Sequence, residues 1–365
     1  MGMDSRNHGV RPVGAMLGAA ETLFPGYFAL VMATAALSIA CELLGHSSIA
    51  GVLVWLNWLF YVTLWALTLV RLVHFPRRLV ADLFDHQRAP GFFTLVAATC
   101  VLATQMVVVA VQHAIASFLW WLGLILWFGV MYAFFTAVTV RKRKPTLAGG
   151  INGAWLIAAV ATQSIVVSRG AVDGLSPPAE PIQLLCLAMF MIGSMLYLAI
   201  IPLIFYRLTF VRLASRDFSP PYWINMGAVA ITTLAGATLM MRVGHWPVLD
   251  QVAAFLPGFT LFFWAAATWW IPLLIALMLW RYVVRREVPA YEPALWGMVF
   301  PLAMYTTATF QLSRATGFDF LAIVPRGFIF VALAAWLAVF AGLVRHIGAG
   351  FLRPQSSAGI RARSC

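Results

Sequence analysis

Charge is what this chain has least of: Asp, Glu, Lys and Arg make up 10% of its 365 residues, against 62% that are hydrophobic. That balance excludes a soluble globular domain and places the chain in lipid. The seven histidines, His8, His46, His74, His86, His113, His245 and His346, all fall in tails, loops or helix ends. None faces another within an apolar run, so no bis-histidine haem pair is available. The four cysteines, Cys41, Cys100, Cys186 and Cys365, lack metal or redox spacing and read as small hydrophobes. Cys41 and Cys186 fall near one membrane face, which leaves a bridge between them open. No ionisable side chain sits at the centre of an apolar run, and that removes the usual proton relay of a coupled pump. A phosphate-binding glycine loop, a serine elbow and clustered carboxylates are missing as well. The expectation is a protein with no catalytic residue, no cofactor and no metal.

What is there is a series of ten apolar runs, near 23–44, 50–72, 91–111, 117–140, 151–168, 182–206, 221–241, 255–280, 293–313 and 327–345. Each is close to the ~20 residues that cross a bilayer as a helix. They predict an all-α membrane protein with a tail over 1–21, a ten-helix transmembrane channel or transporter domain over 22–346, and a tail over 347–365. The polar start, Met1 to Glu21, predicts no cleavable leader. A net charge of +12 would point to nucleic acid in a soluble protein, but here the basic residues sit in short loops that anchor topology. No nucleic-acid partner is expected. Twenty of the 24 Lys and Arg fall on one side of the alternating loops, leaving Arg169, Arg242, Arg314 and Arg326 on the other. The positive-inside rule then puts both termini in the cytoplasm of a multi-pass cell-membrane protein, with odd-numbered helices running outward.

An internal repeat concerns the odd helices. FPGYFALVMAT at 24–34 returns as APGFFTLVAAT at 89–99, so Pro25, Gly26, Phe28 and Thr34 recur as Pro90, Gly91, Phe93 and Thr99. The seventh and ninth runs share a Pro-x-x-Trp start, Pro220 to Trp223 and Pro293 to Trp296. Five helical hairpins follow from that period. Odd helices carry Thr, Gln, Gly and Ala, whereas even ones carry bulk, as in WLNWLFYVTLWALTLV at 55–70. Bulk suits a lipid-facing wall and small hydroxylated residues suit close packing or a wet lumen, so the odd helices are placed inside. Candidate lumen residues are Phe28, Thr34, Phe93, Thr99, Thr104, Gln105, Thr162, Gln163, Asn225, Thr233, Thr307 and Gln311. Packing is the alternative for each threonine, because its hydroxyl can bond its own backbone one turn back. Arg242 and Arg314, at outward helix ends, are candidates for an anion-gathering vestibule or for snorkelling to headgroups.

The stretch from Tyr291 to Arg314 is long enough to span, yet carries Pro301 in its middle and Thr306, Thr307 and Thr309 after it. Proline frees a carbonyl and kinks the helix, which lipid alone does not tolerate; that marks a pore wall, with Phe300 at the kink. Three segments, FPGYFALVMAT, FFWAAATWWIPLL at 262–274 and WGMVFP at 296–301, resemble the tellurite-resistance/C4-dicarboxylate transporter family. That family is related to plant slow anion channels, malate permeases and sulfite exporters. The resemblance spans Phe24 to about Arg345. It implies ten helices as five hairpins around a pseudo-fivefold pore, with outer even helices, a homotrimer in the bilayer, and a small anion as substrate. It also implies a phenylalanine on the ninth helix that plugs the pore, which maps onto Phe300 beside Pro301. The expected function is a channel or transporter for chloride- or nitrate-like anions, sulfite, tellurite or a C4-dicarboxylate such as malate. The alternatives are a proton-coupled exporter and, from another class, a membrane redox subunit or a nonconducting sensor.

Overall fold

A computed structural model of the chain describes residues 10–173, 176–212, 214–288 and 290–352. Among those residues all regular structure is helical. Among the described residues, nine helices are long and apolar enough to cross a membrane. They alternate along the chain between inner helices 1 to 4 (Pro25–Leu43, Ala89–Val108, Gly153–Asp173 and Pro220–Met240) and outer helices 1 to 5 (Ser47–His74, His113–Val140, Glu180–Phe210, Leu256–Val284 and Asp319–Ala349). Inner helix 5, Trp296–Thr316, is long enough at 21 residues but too polar to qualify by the same measure. Its proline and threonines account for that.

Burial separates the two sets. The most apolar stretch of each of inner helices 1 to 4 is 78–94% buried, while that of the outer helices is 22–39% buried. Lipid-facing side chains such as Trp55, Phe118 and Trp269 are large and exposed. The expectation that even helices form the outer wall is borne out on these numbers.

The five inner helices contact one another in a closed cycle, each against the one before and the one after, with the fifth returning to the first. Each outer helix packs on the inner helix of its own hairpin, and outer helix 5 reaches inner helix 1 as well. Every inner helix opens with a short 3₁₀ turn: Pro25–Phe28, Ala89–Phe92, Gly153–Leu156, Pro220–Trp223 and Pro293–Leu295. Those turns also meet in a cycle. The glycines of the repeat permit it. A Cβ on Gly91 would lie 2.6 Å from the backbone nitrogen of Gly26, and one on Gly153 would collide with the Pro221 carbonyl. Proline at the start of four of these turns costs no hydrogen bond, because the first N–H groups of a helix are unpaired in any case.

Two details depart from the sequence. Within the segment expected to be a polar tail, Val10–Thr22 forms a helix against outer helix 1, and Glu21 pairs with Arg78 at 2.6 Å. The remainder of the 1–21 tail, the end of the 347–365 tail and Cys365 lie outside the described residues. Cys41, Cys100 and Cys186 are free buried thiols, so the bridge between Cys41 and Cys186 is not formed.

Closure of the ring predicts a sharp contrast between two glycines. Gly153→Ala forces a methyl group against a backbone carbonyl and is expected to lower stability by about 1–3 kcal/mol. Gly51→Ala, which meets nothing within 4 Å, is expected to be neutral or to stabilise by up to ~1 kcal/mol. Thermal unfolding of the two variants in detergent checks the difference.

Candidate functional site

The axis of the inner ring holds two cavities, each lined by all five inner helices. The first, about 40 Å³, lies toward the 3₁₀ turns and is lined by Gly26, Ala29, Met32, Thr94, Ile157, Val160, Ile224, Gly297 and Phe300 among others. The second, about 240 Å³, lies toward the helix C-termini and is lined by Ala36, Val101, Ile231, Met304, Thr104, Thr238, Thr307, Gln311 and Arg242 among others. On each inner helix the residues of the first cavity precede those of the second. The gap is one turn on inner helix 5, from Phe300 to Met304, and two turns on inner helix 3, from Val160 to Val167, or roughly 6–10 Å of rise.

Phe300 is the last lining residue of the first cavity on inner helix 5, at the edge of that gap, and is 1% exposed. On the neighbouring helices the residues at helical spacing through the same interval are small, namely Ala97, Ala98, Ser164, Gly227 and Ala228. Inner helices 2, 3 and 4 are therefore small-walled through this interval, whereas inner helix 5 carries a bulky ring at its edge. Its backbone position is set by packing: a Cβ on Gly227 would meet Pro301 Cγ at 2.7 Å, so only glycine there lets the proline seat against inner helix 4.

The polarity of the two cavities differs. Along the first, Thr94 is the lone hydroxyl among the lining residues, and it is held by the carbonyls of Gly91 at 2.7 Å and Pro25 at 3.2 Å. The second contains hydroxyls and one charged side chain. Thr104, Thr238 and Thr307 donate to the carbonyls of Cys100, Leu234 and Ala303, at 3.2, 2.8 and 3.3 Å, which leaves their oxygens free only to accept. Gln311 Oε1 and Arg242 Nε have no hydrogen-bond partner, while Arg242 Nη2 donates to the Gly170 carbonyl at 2.6 Å. Burial lowers the Arg242 pKa from its ordinary value, and the nearby Asp173 carboxylate opposes that shift.

Beside the first cavity, Asp82 is shared by Arg71 at 2.7 Å and Arg88 at 2.6 Å. Arg71 also donates to the Leu23 carbonyl at 2.7 Å, and Arg88 lies over the Phe24 ring at 5.4 Å. Two cations on one anion leave net positive charge at that mouth and pin the start of inner helix 1.

Of the candidate lumen residues, Thr104, Thr307 and Gln311 line the second cavity, and Arg242 does too. The others turn elsewhere, for a consistent physical reason. Thr34, Thr99, Thr162 and the neighbouring Thr309 accept hydrogen bonds from outer-ring Trp336, Tyr61, Trp127 and Trp264 at 3.0, 2.9, 2.9 and 3.1 Å. The first three send their own protons to the carbonyl one turn back. A buried indole N–H or phenol without an acceptor is costly in lipid, and a threonine already bonded to its helix supplies the missing lone pair. Gln105 accepts from Asn57 at 2.8 Å, and Gln163 donates to the Phe190 carbonyl at 3.0 Å; both partners lie on outer helices. Phe28 packs edge-on against Tyr61 and Trp65, and Phe93 against Phe134. Thr233 bonds the Val229 carbonyl. Asn225 is fully buried, lines neither cavity, and has no partner for its amide. Arg314 is exposed and lines neither cavity.

The apolar lining was not anticipated, although a signal for it exists. Gly26, Ala29, Ala36 and Ile39 return 65 residues later as Gly91, Thr94, Val101 and Thr104, and all eight line the axis at helical spacing. Among the described residues no group of three or more His, Cys, Asp or Glu is placed to hold a metal.

Residues 22–344 match the voltage-dependent anion channel family, SLAC1. The chain belongs to that family. Its activity class is membrane anion transport, and the resemblance to the tellurite-resistance/C4-dicarboxylate group is borne out. An uncharacterized membrane protein of Mycobacterium tuberculosis is 36% identical over 154 residues, covering 42% of this chain and 78% of the relative. An uncharacterized transporter of Methanocaldococcus jannaschii is 23% identical over 341 residues, covering 89% of this chain and 95% of the relative. A sulfite efflux pump of Trichophyton rubrum is 26% identical over 351 residues, covering 88% and 90% respectively. The family is one of channels and transporters rather than enzymes.

The clamp between the two rings predicts that Thr162→Val strands the Trp127 N–H and costs about 1–3 kcal/mol of stability. Anion flux per folded protein is expected to stay at the wild-type level. Thermal unfolding and liposome flux on the same preparation check both parts.

Proposed function

We propose that small anions pass along the axis of the inner ring and that Phe300 is the gate. The observation that supports this is the succession of two five-helix-lined cavities along the inner ring, with Phe300 the last lining residue of the first on inner helix 5, one turn before Met304 of the second. A ring in a narrow apolar passage blocks an ion sterically and by dewetting, and a change of rotamer removes both barriers. Inner helices direct their positive dipole ends, and the Arg71–Asp82–Arg88 cluster directs its surplus charge, toward the first cavity, so anions gather at that mouth. The split of basic residues makes this the cytoplasmic mouth, with both termini on the same side of the cell membrane. No lining residue of either cavity is an acid or a histidine, which favours channel-like passage over proton-coupled export. The same proposal includes a homotrimer with one pore per subunit, which native mass measurement reads directly.

The anions to compare are chloride, nitrate, sulfite, tellurite and malate. Sulfite enters because relatives are named sulfite efflux pumps. In liposomes, Phe300→Ala is expected to raise flux of at least one of these by roughly tenfold or more, as removal of a steric and dewetting barrier should. A well-folded variant with wild-type flux for all five overturns the gate.

A further inference from the structure

We propose that the second cavity is a binding site for a small monovalent anion, with Arg242 as its charged ligand and Gln311 as its neutral one. This rests on the axis being the ion path. The inner helices end at this cavity, so their carbonyl termini give it a potential that repels anions unless a cation offsets it. Three charged side chains lie at or near it, and Arg242 alone of them lines the wall. Arg169 takes Asp173 through two contacts of 2.6 Å, one from each end of its guanidinium fork, and that pair is neutral as a unit. Arg242 makes no ion pair among the described residues and keeps an unpartnered Nε; its one hydrogen bond goes to the Gly170 carbonyl, which leaves its charge intact.

The net charge of the site is therefore a single positive one, lodged in the wall of a cavity of about 240 Å³. At the end of the neighbouring inner helix 5, Gln311 also lines the cavity and has an unpartnered Oε1, and a half-turn of the amide presents N–H groups to an anion instead. The threonine hydroxyls are committed as donors to their own helices, so they add no further anion contacts. The rest of the wall is apolar, with Val107, Val108, Ile231 and Leu234. A halide or nitrate has its charge matched by Arg242 and keeps part of its water. A dianion such as malate or sulfate leaves its second charge against aliphatic side chains, where an unpaired charge is strongly disfavoured. The site thus selects by charge on the side of Phe300 away from the 3₁₀ turns.

The test uses the full chain in detergent and in liposomes. Thermal stability is titrated with sodium chloride and sodium nitrate against sodium gluconate at constant ionic strength. Chloride and nitrate are expected to stabilise wild-type protein saturably, and malate and sulfate not to. Arg242→Gln should weaken the half-saturating anion concentration about tenfold or more, the loss of one charge-assisted contact, and Arg242→Lys should restore most of it. Gln311→Leu gives a smaller weakening and serves if Arg242→Gln does not fold. Saturation unchanged in a folded Arg242→Gln or Gln311→Leu protein, or equal stabilisation by malate, overturns the site. Chloride flux through Phe300→Ala separates this from the pathway. Flux with no anion-dependent stabilisation refutes the site and keeps the path, while stabilisation without flux refutes the path and keeps the site.

Discussion

Everything else in the molecule depends on the inner helices touching closely enough to close a ring. In a bilayer the hydrophobic effect gives helices no reason to prefer one another over lipid, so association rests on van der Waals contact and on satisfying polar groups. The inner helices meet both conditions. Glycine and alanine bring backbones together at the 3₁₀ turns, as between Gly91 and Gly26, and threonine oxygens receive the N–H and O–H groups of the outer ring. The outer helices then have only to shield this ring from lipid with Trp, Phe and Leu. The same shortness of side chain that closes the ring leaves its axis partly empty.

That empty axis gives one residue unusual weight. Between the cavities the residues are alanine, serine and glycine on inner helices 2, 3 and 4, and Phe300 supplies bulk on the fifth. Pro301 bears on this by position rather than by contact with an ion: its ring seats against Gly227, and the residue before it is carried to the axis. The polar character on either side of the ring is unequal, apolar toward the 3₁₀ turns and hydroxylated with a lone arginine toward the C-termini. On the proposed path, an ion crossing from one to the other would change partners from helix dipoles to a guanidinium, passing an aromatic ring.

Much of the fold was legible in the sequence because it rests on signals that survive without partners. Apolar run length locates the helices, bulk against smallness sorts them into two rings, and Pro25-Gly26 repeated as Pro90-Gly91 reveals the turns that meet at the mouth. The residues of the lumen were less legible. Thr34, Thr99 and Thr162 stand out on inner helices as polar groups in an apolar setting, and a polar group in a ring looks like a pore lining. Each instead serves a Trp or Tyr that lies on a separate helix, and in the case of Thr34 the partner is Trp336, 302 residues away. One sequence cannot pair them, since hydroxyls that accept an indole N–H and hydroxyls that face a cavity have the same composition and the same period. The true lining was hidden for the converse reason: Met32, Ile224 and Met304 are apolar and resemble any core residue. The 65-residue shift marks the lining face on inner helices 1 and 2 alone, pairing Gly26, Ala29, Ala36 and Ile39 with Gly91, Thr94, Val101 and Thr104. Phe300, which lines the first cavity, stood out in the sequence because two independent features, the mid-helix proline and the resemblance to an anion-transport family, fell on the same turn.

The central claim is that a single axial path is interrupted at Phe300, and sided thiol labelling tests it most directly. Cysteine is introduced at Ala29 in the first cavity or at Ala36 in the second, in a background whose native thiols are removed, and a small charged thiol reagent is applied from one side of the membrane at a time. With Phe300 intact, the account predicts that Ala29→Cys reacts only from the side of the 3₁₀ turns and Ala36→Cys only from the opposite side, and that Phe300→Ala makes both reactive from either side. Labelling of both positions from both sides with Phe300 in place, or of neither after its removal, would contradict it.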